Sequence, residues 1–403
     1  MHIAPILSAL RRHRLATMLI ALEIALACAV LCNACFLIAN RVEQMHIQAG
    51  VDETSLAQIK LDCDDCNDVD LNARVLSALG QVPGMQAVSV INAVPFGEHA
   101  GTAGIHLDAA NRQPGGVVDF YVGGPGSFKA LGLELLAGDV PKAGDYRALN
   151  DFAPADAPVW ITRALAAHLW PGVDPLGREF WMDRSHYRVA GVVAHLARPG
   201  GGEGGPATRE WSVFVPGIPG KHLAGNYLIR AEPAQLQRVL RDARAAAIKA
   251  APEAVLDQQQ SRTIGELRSS YFQQDVAMTG ILLGVIAALL LVTALGIVGL
   301  ASFWVAQRRK QIGVRRALGA TRRDILRYFQ TENFLIVSMG VTLGMVLAYG
   351  LNIWLMLSYE LPRLPVYYLP VGVLALWLLG QLAVLAPALR AASVPPIAAT
   401  RTE

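Results

Sequence analysis

Charge is scarce in this sequence. Asp, Glu, Lys and Arg make up 17% of its 403 residues, against a hydrophobic share of 53% and a mean hydropathy of +0.36. Ordinary soluble domains carry about a quarter charged residues, so the shortage points away from the soluble class. The formal net charge is only +3, which leaves no broad basic field for nucleic acid. Five cysteines are too few for a disulfide scaffold. His99, His106, His168, His186 and His195 show no metal-ligand spacing, and no metal ligands are assigned. No G-x-x-x-x-G-K-[ST] phosphate loop occurs. The nearest run, Gly123-Gly-Pro-Gly-Ser-Phe-Lys129, has the wrong spacing and reads as a turn before a short helix. With no nucleophile, base or metal constellation in view, no catalytic residue is assigned either.

What the chain has instead is long apolar runs. Four of them, Leu15 to Ile38, Val276 to Ala306, Phe334 to Leu357 and Val366 to Leu389, reach the roughly 20 residues that cross a hydrocarbon core at about 1.5 Å per residue. Pro370 and Pro387 interrupt the last, which spanning helices tolerate when neighbours satisfy the freed carbonyls. The first run follows Arg11, Arg12 and Arg14 but is longer than a signal-peptide core and ends in no small-residue cleavage site, so it reads as a retained helix. Lysine and arginine placement sets the orientation. Arg11, Arg12 and Arg14 precede the first run, and Arg308, Arg309, Lys310, Arg315, Arg316, Arg322, Arg323 and Arg327 follow the second. Both segments are expected inside. The connection from Ser358 to Pro365 carries only Glu360 and Arg363 and suits the outside, while Arg390 and Arg401 put the C-terminus inside.

The expected organisation is a cytoplasmic segment (1–14), a first span (15–40), an extracytoplasmic domain (41–275), a second span (276–306), a cytoplasmic connection (307–330), a third span (331–357), an outer loop (358–365), a fourth span (366–390) and a cytoplasmic tail (391–403). The domain is long enough for its own core. At its start Ser55 to Asp62 and Ala87 to Asn92 read as strands around a helix from Val69 to Leu79. At its end Tyr227 to Arg230 and Ala254 to Asp257 read as strands around a helix opened by Pro233 and running to Lys249. Between them lie short β-like runs at Val117 to Val122, Val159 to Ile161, Arg178 to Met182, Tyr187 to Val193 and Trp211 to Val215, separated by Gly- and Pro-rich breaks. The fold class is therefore an α+β membrane protein: four spans, and an α/β domain of two βαβ units in one layer with a β-rich insertion.

Few polar or reactive residues stand out. Glu23 is an ionisable group within the first run, expected either to pair helices or serve function, or to lie near the cytoplasmic interface. Cys28, Cys32 and Cys35 share a helical face and read as small packing residues. Cys63 and Cys66 are a candidate disulfide pair. Asp62, Asp64, Asp65 and Asp68 around them oppose the thiolate that redox exchange needs, and a metal site there lacks soft ligands. Gly280-x-x-x-Gly284 and Gly340-x-x-x-Gly344 allow helices to approach closely, within the chain or across a dimer.

The stretch Gln307-Arg-Arg-Lys-Gln-Ile-Gly-Val-Arg-Arg-Ala-Leu-Gly-Ala-Thr321, followed by Arg322-Arg-Asp-Ile-Leu-Arg-Tyr-Phe329 and Glu332, resembles the signature of MacB/FtsX-like ABC transporter permeases. Leu169-Trp-Pro-Gly-Val-Asp-Pro-Leu-Gly177, Tyr187-Arg-Val-Ala-Gly-Val-Val193 and the ending Pro387-Ala-Leu-Arg-Ala-Ala392 with Pro396 and Glu403 are also similar to that family. The resemblance implies a non-catalytic permease subunit of the inner membrane, with a porter-like periplasmic part and a sabre-like insertion. Its mechanism would be mechanotransmission: a separate cytoplasmic ATPase, using ATP and Mg, drives movements of the periplasmic domain that export substrate. The permease itself would bind no cofactor. Implied partners are that ATPase, a second permease copy or paralogue, and a periplasmic membrane fusion protein with an outer-membrane channel. Ile312, Gly313, Val314, Arg315, Arg316, Ala317, Leu318 and Gly319 would form the coupling helix, with Val314, Ala317 and Leu318 on one face and Ile312, Arg315 and Arg316 on the other. Arg315 and Arg316 would touch the ATPase. Gly319 would end this helix, and Thr321 with Asp324 would cap the next.

Two departures stand out. Gln311 occupies a position where the family usually has Glu, and MacB proper carries an ATPase domain ahead of its first span, where only about 14 residues stand here. Alternatives are an FtsX-type regulator that activates an extracytoplasmic partner, and a membrane-anchored extracytoplasmic enzyme. Cysteine labelling of the intact membrane checks the topology: positions 150 should react from outside, and 315 and 400 from inside. Labelling of 150 from the cytoplasm would overturn it.

Overall fold

The computed structural model describes residues 14–98, 101–201, 208–359 and 364–393. Arg11, Arg12, His99, Glu360, Arg363, Pro396, Arg401 and Glu403 lie outside the described residues. The chain divides into two units, Gln44–Gln274 and the flanking segments up to Glu43 and from Asp275.

In chain order, α1 (Arg14–Met45) leads to β1 (Leu56–Asp62), α2 (Asp68–Gly80) and β2 (Met85–Val90). There follow β3 (Gly101–His106), β4 (Pro114–Gly123), α3 (Ser127–Leu131), β5 (Leu135–Gly138), β6 (Pro158–Thr162), α4 (Arg163–Leu169), β7 (Glu179–Met182), β8 (Ser185–Val193) and β9 (Ser212–Pro216). Next come β10 (Asn226–Ala231), α5 (Leu236–Ala250), β11 (Val255–Leu256) and α6 (Ile264–Tyr271). Helices α7 (Gln273–Gln307), α8 (Arg309–Ala317), α9 (Arg322–Tyr359) and α10 (Tyr368–Ala392) complete the chain.

Both ends of the Gln44–Gln274 unit build one sheet. The Asn67 side chain accepts from the Val69 and Asp70 amides, opening α2, whose Leu71, Val75 and Leu79 form one buried face. Helix α5 likewise buries Leu236, Val239, Leu240, Ala243 and Ala247. These faces cover a four-stranded antiparallel sheet of order β11-β1-β10-β2. Each βαβ unit is thus split, its two strands separated by one strand of the other, a ferredoxin-like arrangement. The two βαβ units expected from the sequence lie in one layer. Under them the Tyr227 hydroxyl donates to Asn72 Oδ1 at 3.1 Å, and Asn72 Nδ2 donates to the Leu223 carbonyl at 2.9 Å. Burial pushes the Tyr227 pKa well above its usual range, so the hydroxyl keeps its proton.

Residues 91–225 form the insertion, a seven-stranded mixed sheet of order β5-β8-β6-β9-β4-β3-β7. It curls until β7 pairs with β8 as well as β3, closing six strands into a small barrel. Side chains alternate between two cores. Val118, Phe120, Val122, Val159, Ile161, Val213 and Val215 enter one core, and Tyr121, Trp160 and Phe214 enter the other with Phe128 and Leu131 of α3. Strands β3 and β5 were not legible, because Gly101-Thr-Ala-Gly and Leu135-Leu-Ala-Gly138 carry few β-branched or aromatic residues.

One polar pair lies inside this apolar packing. Arg198 Nε donates to Asp119 Oδ2 at 2.6 Å, and both side chains are almost fully buried. Thr102 also donates to Asp119, and the Tyr121 hydroxyl donates to the Ala197 carbonyl, so the irregular segment after β8 is pinned to β4.

In the other unit, α1, α7, α9 and α10 are long and apolar enough to cross a membrane. Gly340 and Gly344 let α9 lie on α1: a Cβ at Gly344 would stand 2.5 Å from Cys28 Cβ and 2.8 Å from the Ala25 carbonyl oxygen. Gly372 meets Cys32 in the same way. A Cβ at Gly280 or Gly284 would meet no neighbouring element within 4 Å among the described residues. Buried amides cross-link the helices, with Asn33 Nδ2 donating to the Ala348 carbonyl at 3.1 Å and Asn333 Nδ2 to that of Gly380 at 2.8 Å. Pro370 falls in the first turn of α10, where its missing N–H has no intrahelical partner to lose, and Pro387 is buried inside the helix.

Removing one member of the Asp119–Arg198 pair strands the other charge in the barrel wall. Arg198→Met is expected to destabilise the domain by about 3–5 kcal/mol, and Arg198→Met with Asp119→Leu to recover most of that loss. Thermal unfolding followed by tryptophan fluorescence measures both.

Candidate coupling site between the second and third spans

Helix α7 ends at Gln307, α8 begins at Arg309, and the chain reverses into α9 after Gly319. Gly319 has φ +99, a left-handed conformation that suits glycine after a helix end. The Ala320 amide bonds to the Arg315 carbonyl at 3.1 Å. Thr321 and Asp324 then cap α9 reciprocally: the Thr321 amide donates to Asp324 Oδ2 at 3.0 Å, and the Asp324 amide to Thr321 Oγ1 at 3.3 Å.

The inner face of α8 is fixed. Ile312 packs with Ile325 and Phe329 of α9 and with Ala388, Ala391 and Ala392 of α10. Arg316 Nη1 donates to the Ala392 carbonyl at 3.2 Å, at the C-terminal end of α10, where unsatisfied carbonyls and the helix dipole favour a cation. Arg315 lies 5.0 Å from the Tyr328 ring centroid. Just before α8, Arg308 Nη1 donates to both carboxylate oxygens of Glu332 at 3.0 Å and lies over Trp304. Glu332 is 1% exposed.

The exposed side of α8 carries Arg309, Lys310, Gln311 and Arg315 together with an apolar set. Val314 is 50% and Leu318 83% exposed, and Ala317 beside them is exposed too. At spacings of three and four these form one ridge. Ile312 and the half-buried Arg316 face α9 and α10, and Val314, Ala317 and Leu318 face outward, whereas Arg315, expected beside Ile312, is exposed with its guanidinium over the Tyr328 ring. The helix runs from Arg309 to Ala317, where Ile312 to Leu318 was expected, because Arg309, Lys310 and Gln311 continue its first turn. Gln311 is exposed on it.

Other singled-out residues lie apart. The Glu23 carboxylate lies against Gly296 of α7, where a Cβ would meet its Oε2 at 2.8 Å. Its Oε1 is buried and accepts no hydrogen bond among the described residues. Cys63 and Cys66 form a disulfide in the turn between β1 and α2, and no cluster of potential metal ligands occurs among the described residues. Sequence reasoning missed the Arg308–Glu332 pairing. Its signal was a single carboxylate within the polar run Gln330-Thr-Glu-Asn333, just before the apolar stretch of α9 and one helical segment away from a run of arginines.

The FtsX-like permease C-terminal family model matches residues 283–396, from within α7 through α8 and α9 to just beyond α10. This part of the chain is an FtsX-like permease domain. It is homologous to the permease YknZ of Bacillus subtilis, described as an uncharacterized ABC transporter permease: 26% identical over 266 residues, 63% of this chain and 64% of that one. It is also homologous to a macrolide export ATP-binding/permease protein MacB of Wolinella succinogenes, 27% identical over 240 residues, 57% of this chain and 36% of the relative. The chain thus spans less than two thirds of either relative. The solved extracellular domain of YknZ overlaps half of this chain and all of its own, at 12% identity and a TM-score of 0.34. At that score the likeness carries no argument, and the architecture rests on the strand order above.

In this permease domain the Arg308–Glu332 pair ties the α7–α8 junction to α9. Glu332→Ala leaves Arg308 without its carboxylate and should destabilise the helical unit by about 3 kcal/mol, the lower end for a buried pair. Trypsin should then cut faster at Arg309 and Lys310. Unchanged cleavage and unchanged melting would show that the pair fixes nothing.

Proposed function

We propose that this chain is the permease subunit of an inner-membrane ABC transporter working by mechanotransmission. A separate ATPase, fuelled by ATP and Mg, would act on α8 from the cytoplasm, and the Gln44–Gln274 domain would move on the periplasmic side to drive export. The observation that carries this is the two-faced α8 inside an FtsX-like permease domain. Its inner face is bonded to the ends of two spans, so force on its outer face has no slack to take up before it reaches them. An apolar ridge of Val314, Ala317 and Leu318 suits a groove in a protein partner. The basic residues nearby still favour the cytoplasmic side, which would put both termini inside.

A second permease copy or paralogue completes such a machine, since one ATPase and one permease make half of it. The barrel insertion, in the sabre-like place, is the surface offered to a periplasmic membrane fusion protein and, through it, an outer-membrane channel.

Val314→Asp with Leu318→Asp should abolish transport and co-purification of the ATPase while the permease inserts normally, because burying two carboxylates in an apolar groove costs several kcal/mol. Arg322→Glu with Arg323→Glu is the control in the same connection and should do less. ATPase association that survives the aspartates, or equal loss in both pairs, would overturn the docking face.

A further inference from the structure

One arginine binds the two ends of the Gln44–Gln274 domain to each other. Arg268, on α6, donates from Nη2 to the carbonyls of Met45 and Ile47, both at 2.7 Å, across 223 and 221 residues of sequence. Its Nη1 pairs with Glu53. Its guanidinium lies 4.8 Å from the Phe96 ring centroid and 5.8 Å from that of Phe272. Met45 is the last residue of α1, where carbonyls lack intrahelical partners and a cation is favoured. The fork geometry matters: a lysine offers one point charge and could not hold two carbonyls and a carboxylate together.

The neighbourhood is built around this contact. Phe96 has φ +63, a left-handed conformation that is strained for a phenylalanine, yet its ring is 6% exposed and packed on Tyr271 and Phe272. Gly50, at φ +79, sits where a Cβ would collide with the His195 carbonyl, so the 45–53 segment is seated on the insertion. The Ala197 amide bonds to the Ala49 carbonyl at 3.0 Å. On the other side Ala57 bridges Thr263, and the Gln58 amide bonds to the Arg262 carbonyl at 2.9 Å, so α6 is seated on the four-stranded sheet. A single residue separates α6 from α7. Within the other unit, Arg41 of α1 and Asp275 of α7 form an ion pair. Cross-ties thus stand on both sides of the points, 43/44 and 274/275, at which the chain passes between units.

We propose that Arg268 is a positioning residue for force transmission, the clamp that makes the 45–53 and 264–272 segments move as one and so carries displacement of α1 and α7 into both sheets; this rests on the mechanotransmission reading above. A merely structural ion pair would matter to stability alone. The clamp matters to coupling.

The test uses the full chain co-purified with its ATPase in lipid nanodiscs, with hydrogen exchange measured by mass spectrometry with and without ATP and vanadate. In the wild type, ATP should change exchange in α1, in α7 and in domain peptides from 56–262. In Arg268→Lys the change in α1 and α7 should persist, with ATP turnover and melting temperature near the wild type, while the domain response falls by about fivefold or more. Glu53→Gln keeps the carbonyl contacts and should lose less, which serves if Arg268→Lys folds poorly. A wild-type response that never reaches the domain overturns the mechanotransmission reading and the clamp with it. A normal wild-type response that Arg268→Lys retains in full overturns the clamp alone. Loss of ATP turnover in both variants also overturns it, because the contact would then serve assembly.

Discussion

The pairing of β10 between β1 and β2 is the constraint from which the domain follows. Leu228 faces Ser89 on one side and Gln58 on the other, so strands from the two ends of the segment can complete a sheet only together. That pairing brings the first and last residues of the domain to one place, where a single arginine can reach both. It also leaves residues 91–225 free to become a separate barrel without disturbing the sheet.

Of the arginines buried or half-buried against acceptors, Arg198, Arg308 and Arg268 each solve a different problem. Arg198 holds an irregular segment to the barrel wall, where it and its partner Asp119 are almost fully buried. Arg308, at the junction of α7 and α8, ties that junction to the body of α9 through Glu332. Arg268 satisfies carbonyls that a helix end leaves open. In each case the guanidinium is used for its several directed donors as much as for its charge.

Much of this was legible in the residues. Spans show in long apolar runs, and the split βαβ units show because Leu71, Val75 and Leu79 recur at helical spacing beside strands of β-branched residues. The α8 turn and the Thr321–Asp324 cap also have local signatures. Long-range pairing does not. Nothing in the sequence near Glu332 names Arg308, and nothing near Arg268 names Met45, because those contacts depend on which helix ends the fold brings together. The buried and exposed sides of α8 were not legible, since at its length either face could turn toward the bundle. Arginines there look like surface residues until the carbonyl of Ala392 is in place.

The nesting of the barrel inside the split sheet also orders events in time. Every strand from β3 to β9 finds its partners among strands of the same segment, so the barrel can close while the rest of the chain is still being made. β1 and β2 cannot pair with each other, and they must wait for β10, whose arrival ends a long exposure of unpaired sheet edges. Contacts of such sequence separation form slowly, and waiting edges are where chains stick to one another. During that interval α1 is already made, so the half-finished sheet waits on a tether rather than free in solution. The insertion is thus also the delay its sheet must survive.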